Sequence, residues 1–531
     1  MPDQGKAYAL LSVSDKRGIE VLAKAFVDAG ILLLSTGGTA KVLRDAGIHV
    51  KEVSEHTGAA EMMQGRVKTL HPLIHGGILA RRGIDDQVLC ERGIDRIDFV
   101  VVNLYPFAAT VARKGITFDE AIENIDIGGP AMLRSAAKNH ESVTVVTDPD
   151  DYRLIIDNLA LEGERGKQLR LDLACKAFDH TARYDRMISN YLARSCTADT
   201  ADSSQPASEF PESLDSRYEK IRDLRYGENP HQKAAFYRTS LAGAGTLAGS
   251  TLVQGKAMSY NNVMDADAAL GCVQQFVDDD ACVIVKHANP CGVALADCQI
   301  VAYEQAFRTD PTSAFGGIIA FNRQLQADTA TVIIEKQFVE LIVAPGISPA
   351  AADILGSRPN VRVLDCIALS SGECNQDNWL LRPVSGGVLV QSSDALSVSK
   401  QDLKIVSQRK PSTAELEDLL FTWRVAKYVK SNAIVYGRDR ATLGIGAGQM
   451  SRVYSARIAG IKAMDEGLDV RNAVMASDAF FPFRDGIDHA AEAGIAAVIQ
   501  PGGSRNDDEV IAAADEHAMA MIFTGIRHFR H

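Results

Sequence analysis

Residues 197–216, TADTADSSQPASEFPESLDS, constrain the fold of this chain more than any other stretch. Ser, Ala, Asp and Pro dominate it, and Phe210 and Leu214 are its only large apolar residues. Such a composition cannot bury enough surface to offset the entropy of ordering the backbone, so the stretch reads as a linker. A chain of 531 residues also exceeds what one core ordinarily holds. Two separately folded parts are expected, residues 1–196 and 217–531.

Hydrophobic residues make up 46% of the chain and charged residues 23%, a globular balance that argues against wider disorder. No apolar run reaches the roughly 18–20 residues that a membrane span requires. Met1 to Lys6 is polar where a secretory leader would be apolar. Nine cysteines are scattered without a CxxC pair, which fits reduced cytoplasmic thiols better than a disulfide framework. A formal charge of −12 argues against nucleic-acid binding, because phosphate backbones demand a basic face. Small anionic substrates remain open, since they need only a local cluster of cations and N–H groups. The expectation is a soluble cytoplasmic protein that acts on small molecules.

The first part alternates short apolar runs with amphipathic ones. Tyr8–Val13, Ile31–Leu34, Phe99–Val102 and Val143–Val146 are strand candidates, and Ile19, Leu22, Ala23 and Phe26 recur at helical spacing. That alternation predicts a parallel sheet with helices on both faces. Two candidate loops follow strands: Ser12-Val13-Ser14-Asp15-Lys16, and Ser35-Thr36-Gly37-Gly38-Thr39, which opens a helix. Glycines let successive N–H groups converge, and a helix N-terminus adds partial positive charge, so such loops suit a phosphate. A tight connection that binds nothing is the alternative for either loop alone. Further candidates are Arg66 and Lys68, two residues apart and so expected on one side of an extended segment, and Thr69 after them. Asn103 and Tyr105 stand at a strand end, Asp126 and Gly128 lead a helix, and Lys138 lies on that helix.

The second part carries buried-strand runs at Cys282–Val285 and Gly317–Phe321, and a hairpin of Ala433–Tyr436 with Ala441–Ile445. Lys286 and His287 are adjacent at the end of the first run. Like charge beside the imidazole favours its neutral form, available as a base. The motif His287-Ala288-Asn289-Pro290-Cys291 resembles part of the zinc deaminase signature. Asn289 replaces the glutamate and Ala294 the second cysteine, so zinc is rejected and no residues are assigned as metal ligands. Arg225-Tyr226, Phe315-Gly316, Ser431-Asn432 and the basic, aromatic end Arg527-His528-Phe529-Arg530-His531 complete the candidates. Units around Lys286 and Asn432 hint at an internal duplication.

The motifs SVSDK, STGGT, GRVKTLHP, NLYPF, DIGG and AAKNH are followed by LRYGENPHQ, VKHANPCG, SAFGG, KSNAIV, GIGAGQ, SDAFFPFRD and RHFRH. In this order, over nearly the whole length, they resemble the bifunctional enzymes that join phosphoribosylaminoimidazolecarboxamide formyltransferase to inosine monophosphate cyclohydrolase. The resemblance implies an α/β protein: a methylglyoxal-synthase-like parallel-sheet domain (1–196), a linker (197–216), and a formyltransferase region (217–531) of two cytidine-deaminase-like subdomains. It implies 10-formyltetrahydrofolate as donor and leaves room for a structural potassium ion. It also implies a homodimer with formyltransferase sites at the subunit interface, and no nucleic-acid or membrane partner.

Fitted to that chemistry, Lys286, His287 and Asn432 would carry formyl transfer, with Arg225, Tyr226, Phe315, Gly316, Arg527 and Phe529 around the nucleotide. Lys68, Lys138, Tyr105 and Asp126 would carry ring closure, the two lysines in interchangeable roles. Ser12, Ser14, Lys16, Ser35, Thr36, Gly37, Gly38, Thr39, Arg66, Thr69, Asn103 and Gly128 would bind its substrate. Two rival readings are a formyltransferase with an inert N-terminal part, and one whose N-terminal part only senses nucleotides.

Overall fold

A computed structural model describes residues 7–161, 163–200, 210–211, 213–214, 216–239, 242–243, 245–366 and 379–531, and in it the chain forms two compact units, 1–214 and 215–531. The first is built on strands β1 (Tyr8–Val13), β2 (Leu32–Ser35), β3 (Lys51–Glu52), β4 (Ile97–Asn103) and β5 (Thr144–Val146). All pair in parallel, in the order β3-β2-β1-β4-β5. Its helices are α1 (Ile19–Asp28), α2 (Gly37–Asp45), α3 (Val53–Thr57), α4 (Pro72–Leu79), α5 (Asp86–Arg92), α6 (Phe107–Val111), α7 (Phe118–Glu123), α8 (Gly128–Lys138), α9 (Tyr152–Asp157) and α10 (Gly163–Thr200). The predicted face of α1 is buried: Ile19, Leu22, Ala23 and Phe26 are all inaccessible. Strand order reverses between β1 and β4, and a crevice forms there, outside the carboxyl ends of the strands. Helix α10 continues to Thr200, beyond the predicted linker start at 197; residues 201–209, 212 and 215 of that stretch lie outside the described residues.

The second unit contains a small sheet, β6 (Tyr218–Leu224) with β7 (Ala234–Thr239), and a sheet of twelve strands. The large sheet is two copies of one pattern. The first copy runs β8 (Thr251–Gln254), α11 (Tyr260–Val273), β9 (Asp280–Lys286), β10 (Asn289–Ala296), α12 (Gln299–Thr309), the short α13 (Pro311–Ala314), β11 (Gly317–Phe321), α14 (Ala327–Lys336), β12 (Val339–Ala344), α15 (Pro349–Gly356) and β13 (Arg362–Asp365). A hairpin of β14 (Trp379–Val384) and β15 (Gly387–Ser392) stands apart as its own sheet. The second copy runs β16 (Lys404–Ile405), α16 (Thr413–Ala426), β17 (Ile434–Arg438), β18 (Ala441–Gly446), α17 (Arg452–Asp465), β19 (Val474–Ser477), α18 (Asp485–Glu492), β20 (Ala497–Gln500), α19 (Asp507–Glu516) and β21 (Ala520–Phe523). Strand order is β8-β13-β12-β11-β9-β10 in one half and β18-β17-β19-β20-β21-β16 in the other, joined through antiparallel β10 and β18.

The duplication differs from its predicted form. The counterpart of the Lys286–Asn289 turn is the Arg438–Ala441 turn, not the Asn432 loop. Because the halves meet antiparallel, the start of β17 faces the same sheet edge as the end of β9, which carries Asn432 toward Lys286. Both turns place two central residues at positive φ: 53° and 56° at His287 and Ala288, 53° and 55° at Asp439 and Arg440. That is the twist a two-residue hairpin needs. The halves also share close helix–strand packing. A Cβ on Gly292 would stand 1.9 Å from the Ala306 carbonyl of α12, and one on Gly444 would stand 2.1 Å from the Ala459 carbonyl of α17.

Gly444→Ala forces β18 and α17 apart and should destabilise the second unit by about 2–3 kcal/mol. Both tryptophans, Trp379 and Trp423, belong to this unit, so the measurement is the urea midpoint of the tryptophan-fluorescence transition, expected to fall.

Candidate functional site

In the first unit, two helix N-termini approach one short segment. Helix α2 opens at Gly37 (φ 43°), where a Cβ would lie 3.4 Å from Lys68 Nζ. Helix α8 opens at Gly128, where a Cβ would lie 2.7 Å from Thr69 Oγ1. A Cβ at Gly128 would collide with Thr69, whereas at Gly37 it would meet Lys68 at ordinary contact distance and glycine serves the positive φ; each helix start adds partial positive charge. Lys68 pairs with Glu61, and Thr69 is buried. Asp126 sits just before α8, accepting the Gly129 N–H at 2.8 Å, while its own N–H donates to Tyr184 Oη at 2.7 Å. Burial raises its carboxyl above the usual range, opposed by N–H groups of Gly129 and Tyr105. The Tyr105 side chain is exposed.

Beside this cluster, a cavity of about 430 Å³ opens at the β1–β4 crevice, lined by Ser14, Asn103, Thr147, Lys176 and His180 among others. Asn103 organises it: its Oδ1 accepts the N–H groups of Ser14 (2.5 Å) and Asp15 (2.8 Å). Lys176 and His180 come from α10 and had no motif to announce them.

Several sequence-predicted residues have other employment. The Ser35 hydroxyl is buried and donates to the Leu11 carbonyl (2.7 Å), and Thr39 Oγ1 bridges the Val13 N–H and carbonyl, so both brace the loop. Lys16 Nζ donates to the Val13 carbonyl and to Thr39 Oγ1, and burial lowers its pKa. Ser12 and Thr36 hydroxyls lie 3.1 Å apart, so one donates to the other and one hydroxyl proton stays available beside the N–H groups of Gly37 and Gly38. Arg66 follows a 3₁₀ turn in helical conformation rather than extended, and its exposed guanidinium pairs with Glu123 of α7. The expected shared side for Arg66 and Lys68 is thereby lost. Lys138 ends α8, so the length of the helix sets it roughly 15 Å from Gly128. It lines a different cavity with Leu79, Arg134, His140 and Phe178, and within the chain it does not join Lys68.

In the second unit, Lys286 Nζ donates to the carbonyls of Phe315 (3.1 Å) and Gly316 (3.0 Å), which leaves one of its three N–H donors uncommitted to them. His287 is exposed at the turn. Asn289 ties this turn to the second half: its Nδ2 donates to the His287 carbonyl (3.1 Å) and its Oδ1 accepts the Lys430 N–H (2.9 Å). Asn432 is anchored by its N–H and its Nδ2, both on the Gln449 carbonyl (3.1 and 2.9 Å). The chain end docks beside it, Ser431 and Arg530 exchanging hydrogen bonds of 2.9 and 3.1 Å. Wholly buried Asp478 accepts from the Ser431 hydroxyl (2.5 Å) and Arg452 (3.2 Å). Arg527 stacks on exposed Phe529 at 4.4 Å. Phe315 and Phe338 wall a cavity of about 320 Å³. Arg225 and Tyr226 lie in the β6–β7 connection and stack on each other (5.6 Å) rather than on the Lys286 turn. Among the described residues no three His, Cys, Asp or Glu side chains converge as for a metal ion, and no helix is long and apolar enough to cross a membrane.

Comparison with known proteins gives two matching family models: "AICARFT/IMPCHase bienzyme" over residues 136–462 and "MGS-like domain" over residues 18–131. Among solved structures, the crystal structure of ForH is 40% identical, covering 34% of this chain and 95% of its own, at a TM-score of 0.31.

If the Gly37–Lys68–Thr69–Gly128 cluster receives an anion, Lys68→Ala should weaken binding of a ribonucleoside monophosphate by about tenfold or more at low salt. Titration calorimetry on the full chain measures this, with Lys138→Ala expected to retain the wild-type constant.

Proposed function

Because the chain belongs to the AICARFT/IMPCHase bienzyme family, whose members are bifunctional formyltransferases and cyclohydrolases of purine biosynthesis, we propose that its first unit closes the ring and its second transfers the formyl group. The product of the pair is inosine monophosphate, reached through formylated aminoimidazole carboxamide ribonucleotide. The formyl donor is 10-formyltetrahydrofolate, and the working form is a cytoplasmic homodimer. What supports a second copy is the detached β14–β15 hairpin, which exposes Leu380, Val384, Val388 and Leu389, together with the exposure of Phe315 and His287.

In formyl transfer the 5-amino group is a weak nucleophile, its lone pair delocalised into the ring. His287 accepts its proton as the nitrogen attacks the formyl carbon. Lys286, held by two carbonyls, directs its remaining N–H at the oxygen that becomes negative, or delivers a proton to the departing folate nitrogen. Asn432, fixed through Gln449, orients the reacting groups. Phe315, Phe529 and Arg527 pack around the nucleotide. A potassium ion would take oxygens of the kind gathered at Ser431, Asp478 and the docked chain end, where it would brace the Asn432 loop; no step passes through it.

Ring closure is intramolecular, so proximity supplies much of the rate. The carboxamide nitrogen attacks the formyl carbon and the tetrahedral adduct loses water. Lys68 and the start of α8 stabilise the alkoxide, while Asp126 takes a proton from the carboxamide with Tyr105 beside it. The raised Asp126 pKa makes it a stronger base than an ordinary carboxylate once ionised. Lys138 receives no step.

The observation that carries the reading is one constellation in each unit: Lys68, Thr69 and Asp126 about the starts of α2 and α8 in the first, and Lys286 with His287 at the end of β9 in the second. His287→Ala should cut formation of inosine monophosphate from the unformylated nucleotide and formyl-folate by about 100-fold or more, followed by absorbance. Closure of supplied formylated nucleotide should be untouched. Asp126→Asn should cut closure of the supplied formylated nucleotide by a similar factor while leaving formylation of the unformylated nucleotide, followed by consumption of formyl-folate, untouched. In the wild type, closure should fall as pH drops through the raised Asp126 pKa; a pH profile with no such limb overturns its role as base.

A further inference from the structure

We propose that Asp265 is a positioning residue for formyl transfer, its carboxylate clamping the Lys286–Asn289 turn in the backbone conformation that presents Lys286 and His287. The inference rests on the assignment of transfer to that pair, and on a comparison the protein makes with itself.

Left-handed backbone costs an L-residue about 1–2 kcal/mol, and neither turn uses glycine at its two such positions. Each turn is held instead by an aspartate on the helix before it. Asp265 of α11 accepts the Ala288 N–H at 2.7 Å, and the His287 N–H also turns to it. Asp418 of α16 accepts the Asp439 N–H at 3.0 Å and the Arg440 N–H at 2.7 Å. Both aspartates follow the same capping arrangement, Ser259 with Asn262 and Ser412 with Glu415, and both sit six residues after the capping serine. Charge-assisted bonds to paired N–H groups are among the stronger ones a turn can receive.

The twins differ in what their turns carry. The Arg438–Ala441 turn carries no catalytic group, and Arg440 is committed to Asp279 at 2.8 Å. The Lys286–Asn289 turn carries both proposed catalytic groups, and Asn289 transmits its position to the Asn432 loop through the Lys430 N–H. A misplacement of the order of 1 Å at such a turn costs about 100-fold in rate. The same loosening at the twin turn costs stability alone.

The test uses the full-length chain and measures kcat and KM for formyl transfer, closure of supplied formylated nucleotide, and the thermal midpoint. Asp265→Asn should lower transfer kcat by about 100-fold, change KM by less than about threefold, and leave closure intact. Asp418→Asn should lower the thermal midpoint comparably while holding transfer kcat within about threefold. Ala288→Gly, which adopts positive φ without strain, should restore about tenfold or more of the rate on the Asp265→Asn background. Equal kcat losses in the two aspartate variants, an unchanged kcat in Asp265→Asn, or no rescue by Ala288→Gly would each overturn the proposal. If Asp265→Asn alone fails to fold, the doubly substituted chain is the comparator, and wild-type kcat in it overturns the clamp. His287→Ala run alongside separates the two failures: transfer surviving in it removes the site assignment itself, whereas transfer lost there but kept in Asp265→Asn removes only the clamp.

Discussion

The antiparallel seam between β10 and β18 is the interaction on which the second unit depends. It is short in backbone pairing but reinforced by side chains: Thr442 Oγ1 accepts the Val293 N–H at 2.9 Å, and Thr309 donates to the Thr442 carbonyl at 2.8 Å. Buried, satisfied polar contacts of this kind fix register where apolar packing alone would tolerate slippage. The seam turns two small sheets into one of twelve strands and brings the end of β9 and the start of β17 to a common edge. Without it, Lys286 and Asn432 would belong to different surfaces.

The first unit reaches a similar end by a different route. A wholly parallel sheet sends every strand's carboxyl end to one edge, and its helices begin there. Two of those helices start with glycines, so that Lys68 and Thr69 fit against their first turns. Helix starts add partial positive charge from the backbone, so a net charge of −12 does not by itself exclude a local anion site.

Much of this was legible in the sequence because strand runs and strand-end glycines are local signals. Tyr8–Val13 and Gly317–Phe321 match their strands residue for residue; β5 differs from the reading by one residue at its start, and β2, β4 and β9 by one or two residues at each end. Strand β3, two residues long, has no periodicity to read. Arg66 was misjudged because alternation was assumed where a 3₁₀ turn intervenes. Within one chain Lys138 stands about 15 Å from Gly128 along α8, a separation that the sequence alone allows one to count. Ser35 and Thr39 carry the right groups for a phosphate but spend them on Leu11 and Val13, a choice made by tertiary contact. Asp265 was invisible as a lone helical aspartate; only the repeated Ser-x-x-Asn/Glu-x-x-Asp spacing, seen again at Ser412 to Asp418, could have pointed to it.

The arrangement about β10 and β18 has a further consequence. Each half offers the other the surface that it receives, as in an isologous dimer of identical subunits. A free half would expose β10 as a bare edge, open to pairing with any copy of itself. Covalent fusion makes that partner permanent and frees the two halves from having to stay alike. One hairpin tip could then be reserved for reactive side chains and the other for ballast, which no symmetric assembly of identical chains can arrange.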